Sequence, residues 1–263
     1  MKVGSIIVIE GNICAGKSTL CQNIGSNEKY VIFKEPALEN PYLKRYYENP
    51  KKYGLTMQLH MIRIRFETYV EAIKLALAGK DVILDRSIYS DYVFAKKNYK
   101  DGNISEKGFE YYMEVRRKML MLIPLPSIVL FLDCSSKICH NRIKELRCID
   151  CECSIQLDYL DGLDDEYKVL IKEFSNVISI DWNKFGNTKD VVDMIEKNKK
   201  SIICEDIIDT LVNDTSVLNS IINIDFDITD ELYFDDKDKT NEIFISNGIE
   251  KKKIVNVKVK DIF

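Results

Sequence analysis

The sequence predicts an α/β fold in which a five-stranded parallel sheet is flanked by helices, and two observations support this prediction. A glycine-rich loop follows a short apolar strand and opens a helix early in the chain. Segments rich in β-branched apolar residues then alternate with longer segments of helical spacing or loop character, which is typical of a parallel sheet covered by helices. The predicted strands are residues 6–9, 30–33, 82–84, 128–132 and 177–180.

The glycine-rich loop has every part of a phosphate-binding loop. Its members are Gly11, Asn12, Ile13, Cys14, Ala15, Gly16, Lys17 and Ser18, and Thr19 follows in the helix. Glycines let backbone N–H groups approach phosphates, Lys17 meets the β/γ charge, and the Ser18 hydroxyl is placed to hold Mg²⁺. An accidental glycine turn would not need the strand before it and the helix after it, so the loop predicts that the chain binds ATP or another nucleoside triphosphate.

Composition favours a small-molecule substrate over a polyanion. The chain has 263 residues, of which 46% are hydrophobic, enough for one sizeable core and an appendage. The net charge of −4 creates no field that would attract nucleic acid. No apolar run approaches the roughly 18 residues that span a bilayer, and the first strand begins too early to leave room for a signal peptide. We therefore expect a soluble cytoplasmic protein that binds neither nucleic acid nor a membrane.

The longest predicted helix runs from about residue 56 to residue 78, because apolar side chains recur there at three- and four-residue steps, and Gly79 ends it. Gln58 and Arg65 are seven residues apart, so two turns place both side chains on one stripe of this helix. The stripe either faces a pocket or is solvated, and the pattern alone favours neither.

The eight cysteines do not predict disulfides. Two of them lie in or beside the phosphate loop and nothing marks secretion, so we expect reduced thiols. Cys148, Cys151 and Cys153 form one cluster that either binds zinc, with Cys139 and His140 completing the ligands, or consists of ordinary thiols in a loop. The cluster lacks a second well-spaced pair, which favours ordinary thiols.

Residues 201–263 are predicted to be an extension of a main domain that spans residues 1–200. The extension is acidic at first and basic towards its end. Residues 243–245 and 254–259 are the predicted arms of a β-hairpin, because Asn247-Gly248 supplies the positive φ angles of a tight turn. The residues do not indicate what the extension does.

Charged residues follow the second and third predicted strands, at the edge where open parallel sheets bind ligands. Glu35-Pro36 follows the second strand and Asp85-Arg86 follows the third. A sugar hydroxyl is a poor nucleophile until a carboxylate accepts its proton, so Glu35 is the candidate base. Arg86 would stabilise charge on a transferring phosphoryl group, together with Lys17, and Asp85 would reach Mg²⁺ directly or through water. Each pair alone also fits an ordinary turn or ion pair, but with the phosphate loop they predict phosphoryl transfer.

These motifs resemble the deoxynucleoside kinase family, most of all its deoxycytidine/deoxyguanosine kinase branch. The resemblance rests on residues 9–19, Glu35-Pro36, residues 85–91, residues 47–50, Gln58, and the lid-like stretch 142–160. The family implies a P-loop kinase fold and transfer of the γ-phosphate of ATP to the 5′-hydroxyl of a deoxynucleoside, in nucleotide salvage. It also implies a homodimer and feedback inhibition by a deoxynucleoside triphosphate.

The resemblance implies roles for single residues on the acceptor side. Glu35 would be the base on the 5′-hydroxyl, with Arg86 beside it. Tyr47 and Glu152 would hold the 3′-hydroxyl, and Gln58 would make paired hydrogen bonds to the base. The remaining acceptor contacts implied by the family are Ile13, Arg65, Asp91 and Phe94.

On the donor side, the resemblance implies that Arg142 and Arg147 close over the phosphates. Phe185 would either flank the donor adenine or lie in the core. The chain departs from the family at two positions here: Asp85 replaces a glutamate that the animal enzymes carry, and Ile149 stands where a third lid arginine is expected.

Arg65 and Asp91 match a buried charged pair that the family's deoxycytidine and purine kinases carry and that its thymidine-preferring members replace. Such a pair would fill the space that a thymine methyl needs. We therefore expect deoxycytidine, deoxyadenosine or deoxyguanosine to be favoured over thymidine.

Two alternatives are weaker. A thymidylate kinase shares the phosphate loop and the strand ends, but its acceptor is a phosphate, and it usually carries Arg-Glu-Pro where this chain has Lys34-Glu35-Pro36. A nucleotide-binding scaffold without turnover would be expected to have lost Lys17, Glu35 or Arg86, and all three are present.

Overall fold

The computed structural model describes residues 3–26, 29–35, 40–147, 154–200, 242–246 and 251–255. Strands and helices alternate along the described chain. In chain order they are β1 Ile6–Glu10, α1 Lys17–Gly25, β2 Tyr30–Phe33, α2 Leu43–Glu48, α3 Pro50–Leu77, β3 Asp81–Asp85, α4 Ile88–Lys100, α5 Glu106–Leu120, β4 Ile128–Asp133, α6 Ser136–Arg142, a π-helical turn Ile143–Arg147, α7 Leu157–Leu170, a 3₁₀ turn Ile171–Glu173, β5 Val177–Asp181, α8 Thr188–Asn198, β6 Glu242–Ser246 and β7 Lys251–Val255.

Strands β1 to β5 form one parallel sheet in the order β2-β3-β1-β4-β5. The predicted five-stranded parallel sheet is therefore confirmed. Four strands extend one residue further at their carboxyl ends than predicted, because acidic residues there continue the pairing. β1 lies in the centre between β3 and β4, so the phosphate loop leaves the sheet at its middle, where open parallel sheets bind their ligands.

Helices cover both faces of the sheet. Along β1, Ile6 and Val8 belong to a core shared with α3 and α5, whereas Ile7 and Ile9 belong to a core shared with α1, α6 and α7. This alternation follows from the two-residue period of a strand. Because helices cover both faces, the strands are mostly apolar, as parallel strands usually are.

Helix α3 begins at Pro50, six residues before the predicted start. The Asn49 side chain caps the helix by accepting a hydrogen bond from the Lys52 amide at 3.2 Å, and proline is favourable at the first helical position. At the other end the helix stops at Leu77, and Gly79 has a φ angle of 85°, as predicted for a glycine that ends a helix.

The predicted hairpin is correct in its first arm and wrong in its second. β6 and β7 pair antiparallel, with Ser246 opposite Lys251. The second arm thus begins at residue 251 rather than 254. Asn247-Gly248 itself lies outside the described residues, as do residues 201–241. Within the described part of the chain, no helix has the length and apolarity that a membrane span requires.

Candidate active site

The phosphate loop joins β1 to α1 through backbone conformations that favour small residues. Gly11 and Gly16 have φ angles of 145° and 109°, and Cys14 has a φ angle of 56°. A Cβ atom on Gly11 would lie 2.8 Å from the carbonyl oxygen of Leu132 in β4, so any other residue would collide with that strand. Gly16 is the N-cap of α1, and the first N–H groups of a helix are the ones that bind phosphate.

Lys17 is buried, and its side chain folds back towards the start of the loop. Its ammonium donates a hydrogen bond to the Asn12 carbonyl oxygen at 2.8 Å. Burial, together with the neighbouring charge of Arg86, lowers the pKa of Lys17 from 10.5 to about 8. A bound phosphate would stabilise the charged form of this ammonium and raise its pKa again.

Ser18 in the first turn of α1 contacts Asp85 at the carboxyl end of β3. The Ser18 hydroxyl donates a hydrogen bond of 2.5 Å to Asp85 Oδ2. The other carboxylate oxygen, Oδ1, is buried without a hydrogen-bond partner among the described residues. A hydroxyl and a carboxylate with an unused oxygen are ligands that Mg²⁺ accepts, so the predicted pair fits this ion. Thr19 is exposed in the same helical turn.

Glu35 lies between two arginines at the carboxyl end of β2. Its Oε1 accepts a hydrogen bond from Arg65 Nη2 at 2.6 Å, and its Oε2 accepts one from Arg86 Nε at 3.1 Å. Burial alone would raise the pKa of Glu35, but the charges of Arg86, Arg65 and Lys17 outweigh it and lower the pKa to about 2. The carboxylate is therefore ionised and fixed in position at every physiological pH.

Arg86 is held by the loop, by α7 and by an aromatic ring. Its Nη1 donates to the Gly11 carbonyl oxygen at 2.9 Å and to the Tyr167 hydroxyl. Its guanidinium carbon lies 4.9 Å from the centre of the Phe94 ring. The residue also has a φ angle of 67°, a left-handed conformation that costs about 1–3 kcal/mol outside glycine and is common at functional sites.

Arg65 connects Glu35 to a second buried carboxylate. Its Nη1 donates to Asp91 Oδ1 at 2.5 Å, while Asp91 Oδ2 accepts from the Tyr112 hydroxyl at 2.8 Å. The structure thus brings together the predicted pair of Arg65 and Asp91 and buries both residues. Gln58 is buried on the same helix, so the solvated alternative for this stripe is wrong.

The other predicted acceptor residues are buried or half-buried where the structure describes them. The Gln58 Oε1 atom is buried and has no hydrogen-bond partner among the described residues, and its contact with a nucleobase stays a prediction. Phe94 and Tyr47 are half-buried, and Ile13 packs in the core next to the loop. Glu152 lies outside the described residues, as does Pro36.

Two of the predicted donor-side residues, Arg142 and Phe185, lie beside the phosphate loop. Arg142 is buried and donates hydrogen bonds of 2.8 Å to the Ala15 carbonyl oxygen and of 3.0 and 3.1 Å to those of Trp182 and Asn183. Its guanidinium carbon lies 4.2 Å from the centre of the Phe185 ring. The N–H groups of Arg142 are engaged with these carbonyl oxygens. Contact of Arg142 with the phosphates of ATP therefore stays a prediction.

Phe185 itself is 54% exposed, so the alternative that placed it in the core is wrong. The exposed ring lies beside the phosphate loop, and its contact with the adenine of ATP stays a prediction. Arg147 ends the π-helical turn, and its side chain lies outside the described part of the chain.

Sequence reasoning missed two buried residues that support Arg86. Tyr167 contacts it through its hydroxyl, but its spacing in α7 matches that of Leu163 and Leu170, so it resembles an ordinary core residue. Glu10 accepts a hydrogen bond from the Ser87 hydroxyl at 2.6 Å, directly after Arg86 in the chain. A carboxylate at the end of an apolar strand was the only available signal.

The cysteines were expected to be reduced. Cys14, Cys21, Cys134 and Cys139 are not joined in disulfides. Cys148, Cys151 and Cys153 lie outside the described residues, so the choice between zinc and ordinary thiols stays open. Among the residues that the structure places, no group of three or more His, Cys, Asp or Glu side chains could hold a metal ion.

A family model described as deoxynucleoside kinase matches residues 7–223. The chain belongs to the deoxynucleoside kinase family. It is 44% identical over 198 residues to a deoxyguanosine kinase of Dictyostelium discoideum, covering 73% of this chain and 69% of the relative. It is 32% identical over 202 residues to a deoxyadenosine kinase of the same organism, covering 76% of this chain and 81% of the relative.

A solved structure of deoxyadenosine kinase from M. mycoides with bound dATP has the same fold. The TM-score is 0.63 at 30% sequence identity, and the match covers 74% of this chain and all of the solved chain. The α/β fold and the predicted family are therefore confirmed, and the protein is an ATP-dependent deoxynucleoside kinase rather than a thymidylate kinase.

Proposed function

We propose that this deoxynucleoside kinase transfers the γ-phosphoryl group of ATP to the 5′-hydroxyl of a deoxynucleoside, in the presence of Mg²⁺, and that deoxyguanosine is its best acceptor. The observation that carries the proposal is the Glu35 carboxylate held between Arg65 and Arg86. A fixed carboxylate beside a phosphate loop suits an acceptor that brings a hydroxyl group.

In the proposed reaction, Glu35 orients the 5′-hydroxyl and accepts its proton. A bond forms between the 5′-oxygen and the γ-phosphorus, the bond from the γ-phosphorus to the β-phosphate oxygen breaks, and ADP leaves. Because the pKa of Glu35 is about 2, the carboxylate is a weak base and would take the proton late. A late proton transfer agrees with the loose transition state of phosphoryl transfer.

Cationic side chains would stabilise the charge that moves during transfer. Arg86 has its Nη1 on the loop carbonyl of Gly11 and its Nε on Glu35, so it spans from donor to acceptor. Lys17 is buried within the loop. Ser18 and Asp85 would hold Mg²⁺, which supplies positive charge to the β- and γ-phosphate oxygens when bound.

The nucleobase of the acceptor would be read by two polar atoms that lack a hydrogen-bond partner among the described residues. Gln58 Oε1 and Arg65 Nε are both buried without hydrogen-bond partners among the described residues, and thus offer one acceptor and one donor. Guanine, adenine and cytosine each present a matching donor and acceptor. Thymine does so too, and it is the volume of the Arg65–Asp91 pair that disfavours its methyl group.

The choice of deoxyguanosine among these acceptors is supported by the 44% identity to the Dictyostelium deoxyguanosine kinase. The rival acceptor, a nucleoside monophosphate, would bring two negative charges towards Glu35. Both arginines beside Glu35 are already engaged by carboxylates, so the site favours a neutral hydroxyl over a phosphate.

A pair of matched acceptors tests the proposed reaction. Deoxyguanosine and 2′,5′-dideoxyguanosine differ only in the 5′-hydroxyl, and the second compound still offers the 3′-hydroxyl. We expect ATP-dependent phosphorylation of the first alone, lost when Mg²⁺ is chelated and restored when it is returned. Phosphorylation of 2′,5′-dideoxyguanosine would contradict transfer to the 5′ position.

Four features stay predictions of the sequence. The homodimer and its feedback inhibition by a deoxynucleoside triphosphate are supported by family resemblance, and the cytoplasmic location by the composition and by the absence of an apolar run. The domain boundary at residue 200 is proposed from the change in composition. Sedimentation of the full chain, and turnover measured with added dGTP, test the first two.

A further inference from the structure

Trp182 is the only tryptophan in the chain, and its indole N–H is buried. The residue follows β5 and is 3% exposed, and Nε1 has no hydrogen-bond partner among the described residues. A buried donor left unsatisfied costs about 1–3 kcal/mol. Buried polar groups are nearly always paired, so this one calls for a ligand or another explanation.

The Trp182 indole is held rigidly against the phosphate loop. Its backbone N–H donates to the Asp133 carbonyl oxygen at 2.7 Å, and its own carbonyl accepts from Arg142 at 3.0 Å. A Cβ atom on Gly16 would lie 3.1 Å from Trp182 Nε1, and one on Gly186 would lie 2.7 Å from Trp182 Cζ3. A side chain at Gly186 would therefore collide with the ring, and one at Gly16 would crowd it.

The N–H group lies next to the helix start at which phosphates are expected to bind. Gly16, next to Nε1, is the N-cap of α1, and the free N–H groups of that helical turn attract anions. A neighbouring N–H that is rigid, buried and unpaired adds one more donor to the same place. Hydrogen bonds to charged acceptors are the stronger kind.

We propose that the Trp182 indole N–H donates a hydrogen bond to a phosphate oxygen of the donor nucleotide. This inference rests on the proposed donor site and adds a residue to it that lies outside the phosphate loop and the lid-like stretch. Phe185 borders the same glycine, so the indole N–H and the exposed ring would bind neighbouring parts of one nucleotide.

Because there is a single tryptophan, the indole N–H gives a single signal in a ¹H–¹⁵N correlation spectrum of the full chain. We expect this signal to move when ATP or inorganic tripolyphosphate is added, and to stay in place with adenosine. Movement with adenosine alone would assign the indole to the base or ribose and overturn the proposal. No movement with ATP, in protein that phosphorylates deoxyguanosine, would overturn it while leaving the proposed function intact.

A second experiment removes the N–H and keeps the ring. Replacing tryptophan throughout the chain with benzothienylalanine changes Trp182 alone and puts sulfur in place of the N–H. We expect the KM for ATP to rise about 10-fold or more, as for loss of a hydrogen bond to a charged group, with kcat at saturating ATP nearly unchanged. The unfolding temperature without nucleotide should stay the same or rise, because the substitution removes an unsatisfied buried donor. Trp182→Phe should behave alike. An unchanged KM for ATP in a folded variant would overturn the proposal.

Discussion

Replacing Glu35 with glutamine is expected to remove the acceptor-side base while keeping its shape. The amide cannot take the 5′-proton, and its NH₂ group would face one of the two arginines that now donate to the carboxylate. We expect Glu35→Gln to lower kcat about 10²- to 10⁴-fold, the usual contribution of a positioned general base. The affinity for deoxyguanosine should change only a few-fold, because in the proposed complex Glu35 contacts the 5′-hydroxyl and not the guanine ring.

The structure also gives a magnitude for stability. The pKa of Glu35 falls from 4.5 to about 2, and at about 1.4 kcal/mol per pKa unit the fold favours the charged form by about 3 kcal/mol. A neutral side chain forfeits this preference. We therefore expect Glu35→Gln to lower the free energy of unfolding by up to about 3 kcal/mol near pH 7.

Glu10→Gln is the matched control. Glu10 is another buried carboxylate and accepts a hydrogen bond from Ser87, next to Arg86 in the chain. Burial raises the pKa of Glu10, so replacing this carboxylate with a neutral amide should cost little. Single-turnover phosphorylation of deoxyguanosine and urea unfolding should show a large loss for Glu35→Gln and a much smaller one for Glu10→Gln. Wild-type turnover of Glu35→Gln would remove Glu35 from the base role.

Three further predictions concern the residues around Glu35. The pKa of Lys17 is about 8, and a bound phosphate raises it. Above pH 8, ATP binding should therefore take up a proton, and the affinity for ATP should fall by up to about tenfold per pH unit. Calorimetry in two buffers measures this proton uptake, and finding none would contradict the prediction. The double variant Arg65→Met/Asp91→Ala should raise the thymidine-to-deoxyguanosine ratio of kcat/KM about 10-fold or more. An unchanged ratio would show that this pair does not determine which nucleobase is accepted. Tyr167→Phe should lower kcat about tenfold through loss of a hydrogen bond to the charged Arg86, and kcat equal to wild type would show that the other contacts suffice.

The strands and the phosphate loop could be predicted because their signals are local. Each strand is a short apolar run, and the loop is defined by residues 11–18 alone. The approach of Glu35 to Arg86 also followed from the sequence, since parallel strands end at one edge of the sheet. The start of α3 was missed because apolar spacing begins after the cap, whereas Asn49-Pro50 sets the actual start.

Contacts between distant parts of the chain could not be predicted. Arg86 and Tyr167 are 81 residues apart, and nothing in the spacing of α7 indicates which of its buried residues faces the site. The same holds for Trp182, whose placement depends on two glycines from different loops. The carbonyl contacts of Arg142 depend on how β5 and the phosphate loop pack together, and not on the lid-like motif in which that residue stands.

The most direct measurement is kcat/KM with ATP for deoxyguanosine, deoxyadenosine, deoxycytidine, thymidine and dTMP. The ion network of Glu35, Arg65, Asp91 and Arg86 predicts turnover of the first three, with deoxyguanosine highest and thymidine at least about tenfold lower, as for a misfit methyl group. A leading value for thymidine would contradict the role of the Arg65–Asp91 pair. Turnover of dTMP alone would contradict the account of Glu35 as the partner of a hydroxyl.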